Sequence, residues 1–179
     1  MADAMSQEEA AARLARKLET VFGEIERERM TGIPILNPRL RVASIGMRPC
    51  SGGWLSVLVT PWFIDAILLP ESEADAEAWA AQPAGSKVQH DLPAGTFEFI
   101  CAAEQDLGPY RLCSLFSPVL QFENQEAAVA AAQGAMTALF DDGSASAARA
   151  REAAEGAEKP QVSRRALLFG RKDPTEGRP

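Results

Sequence analysis

The chain has 179 residues, 46% of them apolar, and 18 lysines and arginines against 25 aspartates and glutamates, for a net charge of −7 and a pI of about 4.8. That length suffices for one domain with a sizeable core. The acidity argues against a nucleic-acid partner, whose phosphates the surface at large repels.

The opening MADAMSQEEAAARLARKL carries acids and no long apolar core, so no secretory leader is expected. No run of about 18 apolar residues occurs, so no membrane span is expected either. Residues 6–30 are predicted as a helix. Ser6 with Glu9 forms a capping box, and Leu14, Leu18, Val21, Phe22 and Ile25 recur at spacings of three and four. Gly32, Pro34 and Pro38 then impose the extended loop TGIPILNPRL.

From 40 to 122 the pattern is that of strands. RVASIGM, the turn CSGG and the alternating WLSVLVT make a hairpin, and Thr60-Pro61 makes a sharp corner. WFIDAILLP extends again, with Asp65 interrupting only one face and Pro70 closing the strand. Residues 71–85 are acidic and alanine-rich, a short helix or loop. KVQHDLPAGTFEFICA is a hairpin in which Phe97, Phe99 and Cys101 share a face and Glu98 points away. EQDLGPYRLCSLFSPVLQF is a further turn and strand, broken at Pro118. Residues 123–140 form a second helix, with Val129, Gln133, Met136 and Phe140 marking its faces.

The expected fold class is α+β: an antiparallel sheet of five or six strands with an N-terminal and a C-terminal helix packed on it. Residues 1–142 are expected to be the domain and 143–179 a flexible tail, since DDGSASAARAREAAEGAEKPQ has too little apolar surface to order itself.

The search for chemistry returns little. The single histidine, His90, lies in a polar hairpin approach and reads as a surface residue. Cys50, Cys101 and Cys113 have no CxxC spacing and read as buried or idle thiols of a reducing cytosol. No phosphate loop, HExxH or paired-carboxylate motif is present, and no metal or other cofactor is expected. The corner at Trp62-Phe63 admits two readings, plain core or an aromatic ledge offered to a partner.

The blocks IPILNPRLRVASIGMR, WLSVLVTPWFIDAILLP, LPAGTFEFICAAEQDLGPYRLCSLFSPVLQF and SRRALLFGR together resemble the HybE/HupJ family of nickel–iron hydrogenase assembly chaperones. Some relatives carry a fused rubredoxin, but this chain lacks the two CxxC pairs, so no iron is implied. The resemblance implies a non-catalytic cytoplasmic chaperone that binds the hydrogenase small subunit and its twin-arginine signal peptide until assembly is complete. Other hydrogenase assembly proteins are further partners it admits. A non-catalytic structural subunit of the hydrogenase is the alternative, and a Cys/His-dependent enzyme a more distant one.

A receptor for paired arginines followed by an apolar stretch needs an apolar groove beside acid. The expected partner-binding residues are Trp62, Phe63, Phe97, Tyr110, Phe116 and Pro118, with Asp65, Glu98 or Glu104 meeting the arginines. SRRALLFG, with Arg164 and Arg165, looks like a signal-peptide core at the wrong end of the chain. It either folds back onto that groove or docks elsewhere.

Overall fold

The computed structural model describes residues 2–143. Helix α1 (Ala2–Ile25) runs into a π-helical turn, Glu26–Met30. Strands β1 (Ala43–Cys50), β2 (Gly53–Val59) and β3 (Ile64–Pro70) follow, then helix α2 (Glu73–Ala80). Strands β4 (Lys87–Leu92), β5 (Gly95–Glu104) and β6 (Gly108–Phe116) and helix α3 (Gln125–Leu139) complete the fold. The sheet is six-stranded, in the order β1-β2-β3-β6-β5-β4, and every pairing is antiparallel. This is the α+β class that the sequence pattern predicts. One boundary differs: Ser6 lies inside α1, which already runs from Ala2, so it does not cap the helix.

Strands β2 and β3 lie centrally and are buried on both sides, which is why GWLSVLV and IDAILLP read as almost continuous apolar runs. The two faces have different cores. On one, Leu18 and Phe22 of α1 pack with Leu58, Ile67, Leu69, Trp62 and Tyr110. On the other, Ala128, Ala132, Met136 and Leu139 of α3 pack with Leu55, Val57, Ile64, Ala66, Leu68 and Phe99. The stripe predicted on the first helix is therefore the one that docks. On the second helix Met136 is buried, together with Ala128, Ala132 and Leu139 in place of the adjacent Val129, Gln133 and Phe140. Alanine lets α3 approach the sheet closely.

The one polar residue of the β2 run, Ser56, is matched: its hydroxyl lies 2.7 Å from that of Ser44 and donates to the Ile45 carbonyl at 3.1 Å. Gly53 cannot be replaced without moving the sheet, because a Cβ there would run into the Leu69 carbonyl. The sheet is strongly coiled. Although β4 is the far edge strand, a Cβ placed on Gly52, in the β1–β2 turn, would lie 3.7 Å from His90 Cε1. His90 is accordingly half-buried, its ring edge-to-face with Phe99 at 5.8 Å, and not the surface residue its polar neighbours imply.

Candidate functional site

The corner between β2 and β3 is stitched by Thr60. Its hydroxyl oxygen accepts from the Trp62 and Phe63 amides at 3.2 and 2.9 Å, and its own amide donates to the Phe63 carbonyl at 2.9 Å. Asn37 then fixes two loops against that corner. Its amide N–H donates to the Pro61 carbonyl at 2.8 Å, and its side chain donates to the Val119 and Phe122 carbonyls at 3.0 and 2.8 Å. The loop 31–42, the corner and the segment 117–124 are thus held as one surface.

That surface is apolar. Ile33, Ile35 and Leu120 are 36%, 46% and 53% exposed, three of only four large apolar side chains so exposed among the described residues. The same loop and corner line a hollow of about 330 Å³, where Leu36, Pro38, Leu40 and Pro61 meet Glu26, Arg27 and Thr31. On the other side of the π-helical turn, a second hollow of about 240 Å³ is lined by Glu24, Glu28, Glu104 and Asp106, with Arg29 the one cation. Arg29 pairs with Glu104 at 2.9 Å. Residues 1–142 hold twenty acidic against ten basic side chains, a net −10.

The aromatic groove expected from the sequence does not form. Trp62 and Tyr110 are 8% and 6% exposed, sealed in the core under α1, with Phe22 bridging from Phe63 to Tyr110 at 5.9 Å to each ring. Phe116 sits on the opposite face, half-buried and edge-to-face with Phe122 at 5.4 Å, and Phe97 packs on that face too. Rings on opposite sides of one sheet cannot line one groove. Of the expected set, Phe63 and Glu104 are half-buried, while Pro118 and Glu98 are exposed, Glu98 paired with Lys87 at 2.8 Å. Arg164 and Arg165 lie outside the described residues.

Asp65, expected at an accessible position, is 3% exposed. It faces the α1 side, between Leu58 of β2 and Ser114 of β6. Its Oδ1 is buried without a hydrogen-bond partner. Burial pushes its pKa up to about 6, against the opposing pull of the Ser114 hydroxyl and the Leu115 backbone. The thiols carry no sign of activation: burial lifts Cys50 to about 11 and also raises Cys113, whereas a nucleophilic cysteine has a lowered pKa. Cys101 is held by Gln82, whose Oε1 accepts from its Sγ at 3.3 Å and from Arg111 at 3.1 Å. Among the described residues no three His, Cys, Asp or Glu side chains are grouped to hold a metal ion, and no helix is long and apolar enough to cross a membrane.

Sequence reasoning missed Ile33, Ile35, Leu120 and Asn37. The signal for the first two was present, as isoleucines in a proline-punctuated loop with no strand period to bury them.

Comparison with known proteins places this geometry in context. The family described as "[NiFe]-hydrogenase assembly, chaperone, HybE" matches residues 13–170. Protein HoxT of Cupriavidus necator is 39% identical over 125 residues, covering 65% of this chain and 70% of HoxT. The hydrogenase expression/formation protein HupJ of Bradyrhizobium diazoefficiens is 35% identical over 119 residues, covering 66% and 67% of the two chains. In fold, the chain is similar to the solution structure of HybE from Escherichia coli, with a TM-score of 0.54 and 22% identity over 90% of this chain and 91% of that one.

Proposed function

We propose, from the premise that the chain belongs to the HybE family of nickel–iron hydrogenase assembly chaperones, that it binds the hydrogenase small subunit through the twin-arginine signal peptide of that subunit. By holding the leader it delays export until the subunit is complete. The work is done in the cytoplasm and makes or breaks no bond.

The observation that carries this reading is the apolar surface of Ile33, Ile35 and Leu120, pinned by Asn37 beside an acidic hollow. A twin-arginine leader has a cationic pair followed by an apolar stretch. The π-helical turn Glu26–Met30 lines both hollows, with Glu26 and Arg27 in the first and Glu28 and Arg29 in the second. The apolar stretch covers the isoleucines and Leu120, and the body's net negative charge draws in the cations. Exposed apolar side chains gathered on a rigid base are what a peptide-binding surface requires, and a lone exposed leucine is not.

The test is recovery of the client. The tagged chain is isolated from cells stalled in hydrogenase maturation. Small subunit that still carries its leader is the expected co-purifying protein. Recovery of the assembled, leader-free hydrogenase instead would assign the chain to the finished complex.

A further inference from the structure

Asp65 is the one acidic side chain buried among the described residues, and none of the groups that shift its charge is a cation. Leu58 is its β2 neighbour, and the groups that steady its charge, the Ser114 side chain and the Leu115 backbone, both belong to β6. Oδ1 is left with nothing. A buried carboxylate oxygen without a partner costs roughly 1–3 kcal/mol, and an apolar residue of similar size at position 65 would avoid that cost.

The surroundings define what is missing. Asp65 lies two positions beyond Phe63, whose carbonyl accepts from the Thr60 amide at the corner. Its cross-strand neighbour Ser114 is exposed, and so are Glu98 and Ile100 on the next strand, β5. Helix α1 seals Trp62 and Tyr110 but leaves this β6–β5 part of the same face open. Ser114 is thus the exposed residue directly paired with buried Asp65 on that side.

We infer that Asp65, with Ser114 at its entrance, is a built counter-charge for one guanidinium of a bound peptide. A planar guanidinium satisfies both carboxylate oxygens at once, which an ammonium does not, so the position selects arginine over lysine. The inference rests on the peptide-binding reading for its biological ligand, but the chemistry is that of a single arginine side chain and is testable without the client.

The direct probe is N-acetyl-arginine amide, titrated into the full chain while the Asp65 carboxyl carbon and Ser114 amide are followed by NMR. The expected result is a saturable shift at both positions, with the lysine amide producing a markedly weaker one. A second arm measures a synthetic leader peptide with Arg-Arg or Lys-Lys against the wild type, Asp65→Asn and Ser114→Leu. Both variants are expected to lower Arg-Arg affinity about tenfold and to erase the preference over Lys-Lys. Ser114→Leu keeps the carboxylate but removes the hydroxyl that steadies it, so urea denaturation of both variants accompanies the titrations and affinities are compared only between folded samples. No shift at Asp65 with the arginine amide, or equal affinities in wild type and both variants, overturns the inference. If the arginine amide binds at Asp65 while no leader peptide binds anywhere, the inference stands and the leader-binding reading falls.

Discussion

The side-chain amide of Asn37 donates to the Val119 carbonyl at 3.0 Å, joining two loops that are 82 residues apart in sequence. The same group donates to Phe122, and Asn37 Oδ1 accepts from the Arg39 amide at 3.1 Å. Asn37 is buried, so no water replaces these bonds when the side chain is removed. Asn37→Ala takes the side-chain donor from the part-buried Phe122 carbonyl and one of two donors from the Val119 carbonyl, which keeps the Phe122 amide, and is expected to cost about 1–2 kcal/mol, read from urea denaturation. Leader-peptide affinity falls with it even where the chain remains folded, because the segment carrying Leu120 is no longer tied to the loop carrying Ile33 and Ile35. A variant that unfolds more easily yet binds as well as wild type would show that the loops need not be joined.

A second prediction separates surface from core. Ile33→Ser, Ile35→Ser and Leu120→Ser remove exposed side chains, so each is expected to change stability by no more than about 0.5 kcal/mol. Combined, they lower peptide affinity by about tenfold or more. Trp62→Ala behaves in the opposite way. It empties a sealed position between α1 and the sheet and costs about 3–5 kcal/mol of stability. Thermal melts and fluorescence-anisotropy titrations on the same samples distinguish the two. Full binding by the triple serine variant would remove these side chains from the interface.

The contrast between those variants also marks how far the sequence was legible. Alternation in WLSVLVT, the stop at Pro70 and the corner at Thr60-Pro61 are local, and each reads directly into β2, β3 and the Thr60-stitched turn. The burial of Trp62, Tyr110 and Asp65 is not local. The alternation places Asp65 on one face of its strand but does not say that α1 covers that part of the face, because the crossing of a helix over a sheet is fixed by packing along its whole length. The joining of the loop 31–42 to the segment 117–124 was hidden for the same reason: it depends on a hydrogen bond spanning 82 residues. Phe116 was expected to share a groove with Trp62 and Tyr110, but β3 and β6 shift register between Ile64 and Asp65, and such a bulge turns Phe116 to the face opposite Tyr110.

Asp65 gives a pH signature. Its carboxyl has a folded pKa of about 6 against an ordinary 3.8. The folded state therefore holds the proton more tightly than the unfolded chain does. Stability from this group is full below about pH 4, is lost as pH rises through 6, and stays lost above. The shift corresponds to about 3 kcal/mol at most. Asp65→Asn cannot ionise, so its stability relative to wild type should rise by about 2–3 kcal/mol between pH 4 and pH 7.5, measured by urea denaturation at both. A difference that does not change with pH would mean that Asp65 is ionised and satisfied in the folded chain.

The acidic hollow and the apolar surface should act on different rate constants. Glu24, Glu28 and Asp106 line the hollow with the Arg29–Glu104 pair, and an exposed acid attracts a cationic peptide over about a Debye length, 8–10 Å at ordinary salt. Such charges speed encounter more than they strengthen the final complex. Glu24→Gln, Glu28→Gln and Asp106→Asn together are expected to lower the association rate of a leader peptide by about tenfold at low salt. The dissociation rate stays nearly unchanged, and the effect vanishes as salt is raised. Removing Ile35 and Leu120 does the reverse, raising the dissociation rate at every salt concentration, because those contacts exist only once the peptide is seated. Stopped-flow measurements at low and high ionic strength read both. An increase in dissociation rate in the charge variant that persists at high salt would show that these carboxylates touch the bound peptide directly.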